Sequence, residues 1–177
     1  MARIGIYYGT DTGMTEDVAK QIQKKLKKLL GDKAELNDVC DTDLSDVSDF
    51  DLLLMGIPTW YYGELQTDWE KRWEELGSVD FSGKIVALFG LGDQEDYAEY
   101  YLDAMGDLHD VVVANGGTII GYWPNEGYDF EESKALTEDR SFFVGLALDE
   151  DRQPELTEER IDQWLEQILE EWEEVRS

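Results

Sequence analysis

The first residues that could do chemistry form a short turn rich in hydroxyl side chains. Residues 10–15 have the sequence TDTGMT and stand between an apolar run and an amphipathic segment. Free backbone N–H groups at the start of a helix, together with the helix dipole, attract anions. The turn has neither the lysine of a nucleoside triphosphate loop nor the G-x-G-x-x-G of dinucleotide folds. It predicts a site for one phosphate group without a metal; the alternative is a helix cap in a threonine-rich turn.

Two further segments place aromatic side chains directly after apolar runs. Residues 58–65 have the sequence PTWYYGEL, and residues 90–97 have the sequence GLGDQEDY. Two aromatic rings from separate loops can hold a planar ligand between them by offset stacking. A phosphate site and a planar-ring site together are typical of a mononucleotide-like cofactor. The alternative for the aromatic side chains is packing beneath a neighbouring loop.

An alternating series of strands and helices is needed to position these segments. Short apolar runs predict five strands, the last in two parts, at residues 3–8, 36–39, 51–57, 84–91, 118–122 and 142–148. Pro58 is expected to end the third strand. Apolar residues spaced three or four apart predict helices at residues 13–30, 68–76, 97–115 and from Thr157 onwards. This order predicts a doubly wound α/β fold with ligands at the C-terminal strand ends, and residues 123–141 as an insertion in the last strand.

Length and composition indicate one folded domain. The chain has 177 residues, 42% of them hydrophobic, which opposes disorder, and we expect residues 1–177 to form a single domain. Its 15 basic and 42 acidic residues give a net charge of −27, which excludes binding nucleic acid or an anionic membrane through a broad basic surface. One cysteine, Cys40, excludes an intrachain disulfide and a cysteine-based metal site. With no charged leader and no apolar run near ~18 residues, we expect a soluble cytoplasmic protein.

Taken together, the three loops resemble those of the flavodoxins, and in particular the long-chain flavodoxins. The resemblance covers essentially the whole chain, from residues 10–15 through 58–60 and 92–97 to 143–151 and the last helix. It implies a five-stranded parallel sheet in the order 2-1-3-4-5, for which flavodoxin is the standard example, with helices on both faces. Residues 123–141 match the insertion that separates long-chain from short-chain members.

The resemblance also implies roles for individual residues. The phosphate of a bound FMN would lie at residues 10–15, its isoalloxazine ring between Trp60 and Tyr97, and its ribityl chain near Asp149. The ring edge would contact the backbone of the two aromatic loops. Met14 departs from the family, whose members often carry a polar or basic residue there. The implied FMN-binding residues are Thr10, Asp11, Thr12, Gly13, Met14, Thr15, Pro58, Thr59, Trp60, Tyr61, Tyr62, Gly63, Leu91, Gly92, Asp93, Gln94, Tyr97 and Asp149.

The function that the resemblance implies is electron transfer without an enzymatic reaction. Non-covalently bound FMN would cycle between semiquinone and hydroquinone at low potential and pass single electrons. The family's partners are flavoprotein or iron–sulfur redox proteins, which we expect to dock on an acidic face of a monomer. The acidity has a second interpretation, a source organism with high internal salt.

Two other functions stay open at this point. An FMN-dependent reductase needs a substrate pocket over one flavin face, whereas Trp60 and Tyr97 are expected to cover both faces. A phosphorylated signalling receiver shares the fold but requires acidic residues after strand one, an aspartate at the end of strand three and a lysine after strand five. This chain has Thr10, Pro58 and Asp149 at or near those positions, which favours the electron carrier.

Overall fold

The fold is built around a central parallel sheet flanked by helices. A computed structural model describes residues 3–31 and 34–176. Two short 3₁₀ helices lie at Ser45–Asp49 and Pro154–Leu156. In chain order the other elements are β1 (Ile4–Tyr8), α1 (Met14–Leu30), β2 (Glu35–Asp38), β3 (Leu52–Trp60), β4 (Glu64–Leu65), α2 (Thr67–Gly77), β5 (Ile85–Leu91), α3 (Asp103–Ala114), β6 (Thr118–Ile120), β7 (Trp123–Pro124), β8 (Phe142–Phe143), β9 (Leu146–Leu148) and α4 (Thr157–Arg176).

The order of the main strands is β2-β1-β3-β5-β6, and each neighbouring pair is parallel. β9 also pairs in parallel with β5, further along that strand, where Phe89 lies opposite Leu146. The fifth position of the sheet is therefore shared by β6 and β9, with residues 121–145 inserted between them. The predicted strand order and the doubly wound α/β class are confirmed.

Helix packing explains why the central strands are almost entirely apolar. Every residue of β1 is buried, as are the first seven residues of β3. α3 packs on β3 and β5, while α1 packs beside α4. The buried side chains of α1 include Val18, Ile22 and Leu26, which is the spacing that predicted this helix. Among the described residues, none of the helices is long and apolar enough to span a bilayer.

Pro58 does not end β3, contrary to the prediction. The strand continues to Trp60, and Pro58 lies opposite Leu91 of β5. On its other side β3 pairs with β1 only as far as Gly56, so Pro58 lies where β3 has become an edge. Proline has no N–H to donate and is tolerated at such an edge.

The predicted helix at residues 97–115 and the predicted strand at 142–148 also need correction. Residues 97–102 form turns, and α3 begins at Asp103, because Leu102 has a left-handed φ of 60° that a continuous helix does not allow. The last strand is divided into β8 and β9 by Gly145. A Cβ at Gly145 would lie 2.3 Å from the carbonyl oxygen of Leu88, so this close approach requires glycine.

The insertion packs as an ordered layer against the site loops. β7 and β8 pair in an antiparallel ladder, and Phe143 packs against the rings of Tyr128 and Tyr101. The Tyr128 hydroxyl donates to the carbonyl of Ala147 in β9 at 2.6 Å. Burial is the main cause that raises the pKa of Tyr128 to about 12, so this hydroxyl stays a donor at neutral pH. The insertion is thus hydrogen-bonded directly to β9.

Candidate functional site

The three predicted loops meet in one cleft at the C-terminal ends of β1, β3 and β5. Gly13, Tyr62, Gly63, Gln94 and Asp149 of the predicted set do not line it. The described residues that line it are Thr10, Asp11, Thr12, Met14, Thr15, Pro58, Thr59, Trp60, Tyr61, Leu91, Gly92, Asp93, Tyr97, Glu150 and Asp151.

The loop at residues 10–15 is held in shape by hydrogen bonds to Gly13. Gly13 caps α1 with a φ of 90°, a conformation that glycine adopts without strain. Its N–H donates to the hydroxyl oxygen of Thr10 at 2.8 Å, and its carbonyl accepts the N–H of Asp17 at 2.9 Å. The first N–H groups of α1 have no partner within a helix, and Met14 and Thr15, where α1 begins, line the cleft.

Two hydroxyl groups of this loop are available to a ligand. Thr12 is exposed and Thr15 is buried, and neither hydroxyl has a hydrogen-bond partner among the described residues. Met14, between them, is 41% exposed and lines the cleft with an apolar side chain that donates no hydrogen bond. Uncharged hydroxyl and amide donors at a helix N-terminus suit the phosphate of a mononucleotide.

Gln66 braces the phosphate loop and was not predicted from the sequence. This fully buried side chain donates from Nε2 to the carboxylate of Asp11 at 3.0 Å. Its Oε1 accepts the N–H of Trp69 at 3.2 Å, which caps α2. A Cβ on Gly9 would lie 2.1 Å from the same oxygen, so the brace also requires glycine there. The contact joins residues 55 positions apart, and no local sequence signal marks it.

The aromatic wall at the end of β3 stands on a strained turn. β4 returns antiparallel to β3, which leaves Tyr61, Tyr62 and Gly63 as the turn. Tyr61 has a φ of 45°, which costs a bulky residue about 1–2 kcal/mol, and Gly63 has a φ of 83°. The Tyr61 ring packs on Trp60 and, edge to face, on Tyr97 across the cleft at 6.0 Å.

The buried indole N–H of Trp60 has no hydrogen-bond partner among the described residues. Trp60 lines the cleft together with Thr12 and Thr15. The free threonine hydroxyls and the aromatic walls fit a phosphorylated planar ligand.

Asp149 does not line the cleft, and its predicted contact with a ribityl chain stays a prediction. It is fully buried, and its Oδ2 accepts the backbone N–H of Gln94 at 2.9 Å and its Nε2 at 3.0 Å. Its Oδ1 accepts the N–H groups of Asp151 and Arg152 at 3.0 and 2.9 Å. Asp149 therefore shapes the loop after β9, while the two residues that follow it, Glu150 and Asp151, line the cleft.

Backbone groups of the third loop are also occupied by the protein itself. The N–H of Gly92 donates to the carbonyl of Leu148 at 3.2 Å, and that of Gln94 goes to Asp149. Both N–H groups are therefore engaged within the protein, and the predicted contact of this backbone with a ring edge stays a prediction. The Gln94 side chain instead accepts the N–H of Asp129 at 2.7 Å, which joins the loop to the insertion.

The electrostatic character of the cleft is negative. Its described lining contains four carboxylates, Asp11, Asp93, Glu150 and Asp151, and no lysine, arginine or histidine. Burial and, after it, the carboxylates of Asp93 and Asp149 raise the pKa of Asp151. A further negative charge on a ligand among these carboxylates is therefore disfavoured.

The fold and the cleft define a doubly wound α/β protein with a site for a phosphorylated planar ligand. The chain matches the flavodoxin family model over residues 6–164. It is 55% identical over 171 residues to a flavodoxin of Klebsiella pneumoniae, covering 97% of this chain and 95% of that protein. It is 51% identical to a flavodoxin of Haemophilus influenzae, covering 97% and 96%. The chain belongs to the flavodoxin family.

A solved structure shows the same architecture. The flavodoxin of Fusobacterium nucleatum, bound to flavin mononucleotide, is similar with a TM-score of 0.89 and 35% sequence identity. The similarity covers 97% of this chain and 99% of that one. The likeness therefore includes the whole sheet, its helices and the insertion.

Proposed function

We propose that this protein is a one-electron carrier that holds FMN non-covalently in the cleft. The observation that carries the proposal is the arrangement of donors and rings within one cavity. The threonines of the loop before α1 and the rings of Trp60 and Tyr97 line the same cavity. The F. nucleatum relative with the same architecture has FMN bound.

Each part of the cleft has a separate task toward FMN. Thr12, Thr15 and the first N–H groups of α1 would hold the phosphate, and Trp60 and Tyr97 would cover the two faces of the ring. When bound, FMN would supply one-electron redox chemistry, and its fully reduced form is an anion. With both faces covered, no substrate pocket would remain above the ring, which favours a carrier over a reductase.

The negative cleft favours a low potential. Four carboxylates line it, and aromatic walls lower the local dielectric. Both effects oppose an added negative charge, so they would make the second one-electron reduction of a bound FMN harder than in water. The carboxylates and aromatic side chains of the cleft would thereby lower the second reduction potential of FMN.

The docking surface that we propose is an acidic rim, consisting of Glu95, Asp96, Glu99 and Glu131. These residues surround the ring of Tyr62, which is 71% exposed beside the cleft. A negative rim steers a basic partner toward the exposed edge of a cofactor. The partners are flavoprotein or iron–sulfur redox proteins, and the carrier acts as a monomer. The cytoplasmic location stays a prediction.

Stepwise reductive titration of the FMN-reconstituted protein tests this function. We expect tight binding and two separate one-electron potentials, with the second strongly negative. Oxidation of a nicotinamide cofactor by a small acceptor without any partner protein would instead indicate a reductase. Failure of the apoprotein to bind FMN would overturn the proposal.

A pair of charge variants tests the docking surface. Glu99→Gln with Glu131→Gln removes two charges from the acidic rim, and Glu166→Gln with Glu170→Gln removes two from the exposed face of α4. The rim variant should slow electron transfer to a basic partner at low salt, with the difference disappearing as salt screens charges beyond about 10 Å. Equal rates for the two variants would show that the rim does not guide docking.

A further inference from the structure

Arg152 lies directly after the two acidic residues that line the cleft and joins two site loops. Its guanidinium contacts three carboxylates of the loop after β5. Nε and Nη2 lie 3.1 and 3.4 Å from the two oxygens of Asp93, Nη1 lies 3.4 Å from Glu95, and Nη2 lies 3.0 Å from Asp96. These contacts span up to 59 positions of sequence.

The pair with Asp93 is the contact that can fix the loop. Exposed ion pairs contribute little, and the side chains of Glu95 and Asp96 are 72% and 64% exposed. Asp93 is only 13% exposed, and Arg152 engages it through a fork of two hydrogen bonds. Of the three carboxylates, Asp93 is therefore the one whose position Arg152 fixes.

Asp93 in turn organises the turn that carries Tyr97. Its carboxylate accepts the N–H groups of Glu95 and Asp96 at 2.9 and 3.0 Å, and its carbonyl accepts the N–H of Tyr97 at 3.3 Å. Burial acts to raise the pKa of Asp93, but the bonds from Arg152 and these amides outweigh it and hold that pKa below its usual value. The two hydrogen bonds from Arg152 thus affect the position of Tyr97 through the carboxylate of Asp93.

Arg152 also supplies the positive charge that the cleft lining lacks. The four lining carboxylates have no cation among them, and Arg152 holds one of them, Asp93. A cation beside a site lowers the free energy of an anion bound there. Its position therefore limits how far the acidic surroundings disfavour a reduced, negatively charged ligand.

We propose that Arg152 is a positioning and potential-tuning residue: its fork on Asp93 fixes the Tyr97 wall, and its charge offsets the carboxylates of the cleft. This inference rests on the proposed binding of FMN. The two parts of the role depend on different properties of the side chain, its geometry and its charge. They are therefore separable by substitution.

Three variants separate these contributions. Arg152→Gln removes charge and fork, whereas Arg152→Lys keeps the charge and loses the fork. Arg3→Gln is the matched control, because Arg3 also pairs with a carboxylate, Glu35, and lies before β1, at the end of the strand opposite the cleft. The measurements are FMN and riboflavin affinity, both one-electron potentials, and hydrogen exchange of amides 93–97 in the apoprotein.

Arg152→Gln should weaken the binding of FMN and riboflavin by the same factor, about threefold to tenfold, because the change acts at the ring end. The second potential should fall more than the first, and a tenfold loss corresponds to about 59 mV for one electron. Amides 93–97 should exchange faster. Arg152→Lys should keep the second potential but show the faster exchange and a smaller, equal loss of affinity for both flavins, while Arg3→Gln should change none of these.

Several results would overturn the proposal. If Arg152→Gln leaves affinity, potentials and exchange at the values of Arg3→Gln, Arg152 has no role in the site. A loss for FMN but not for riboflavin would place the effect at the phosphate instead. If Arg152→Gln does not fold, an unchanged exchange rate and a lowered second potential in Arg152→Lys would equally contradict it. Absence of FMN binding by the unaltered protein would refute the proposed function rather than this role.

Discussion

Replacing Thr12 by valine is the most direct test of the phosphate end of the cleft. The Thr10 hydroxyl accepts the N–H of Gly13 at 2.8 Å and so also holds the loop together. The Thr12 hydroxyl is exposed and has no partner among the described residues. Valine keeps the β-branched shape and removes only the hydroxyl. The change therefore affects the ligand and spares the loop.

The expected loss follows from the chemistry of one hydrogen bond. A hydrogen bond to a charged group contributes about 1.5–3 kcal/mol, and about 1.4 kcal/mol corresponds to tenfold in affinity. FMN should therefore bind about 10- to 150-fold more weakly to Thr12→Val. The free energy of unfolding of the apoprotein should change by less than about 0.5 kcal/mol, because the lost hydroxyl has no internal partner.

Quenching of flavin fluorescence, titrated with apoprotein at fixed salt, measures this affinity. Riboflavin lacks the phosphate, so its affinity should be nearly the same for Thr12→Val and the unaltered protein. Thr12→Ser, which restores a hydroxyl, should recover most of the FMN affinity. Equal losses for FMN and riboflavin, or no loss for FMN, would refute the assignment of this loop to the phosphate.

Two further predictions concern the turn at the end of β3. Gly63→Ala should destabilise the apoprotein more than Gly31→Ala in chemical denaturation: both have positive φ, but only at Gly63 would a Cβ lie 2.9 Å from the Asp103 carboxylate. Equal losses would mean that this contact does not restrict the turn. Asp103→Asn should stabilise the protein increasingly as pH rises from 4 to 8, because burial raises the pKa of Asp103 and penalises its charged form. Asparagine can still accept the N–H of Lys134, so a difference in melting temperature that does not vary with pH would contradict this account.

The fold could be predicted because its strands and helices carry strong local patterns. The spacing of Val18, Ile22 and Leu26 predicts α1, and the unbroken apolar run at residues 52–57 indicates a strand covered on both faces. The start of α3 could not be predicted in the same way. The Tyr101 hydroxyl donates to Leu148 across the molecule at 3.1 Å, and the chain is held in turns up to Leu102 by such contacts. Local propensity does not contain this information.

The site shows the same division between local motifs and distant contacts. The threonine loop and the two aromatic loops are continuous in sequence, and the structure brings all three to one cleft. The orientation of the Asp149 carboxylate could not be read from the local sequence, because its hydrogen-bond partner Gln94 lies 55 positions away. The role of Gln66 could not be predicted from the sequence, because its partner Asp11 also lies 55 positions away.

Charge is the property for which composition and structure differ most. A net charge of −27 describes the field far from the protein, where an approaching partner experiences the sum of all charges. Close to the cleft, individual pairs matter more, because the dielectric is lower and screening by salt is weaker. There, the positive charge of Arg152 compensates part of the negative charge of Asp93, Glu95 and Asp96. The net charge of the chain does not reveal this local compensation. The acidity that steers a partner and the charge that acts on a bound cofactor are therefore linked through Arg152, because it pairs with Glu95 and Asp96 of the acidic rim as well as with Asp93 in the cleft.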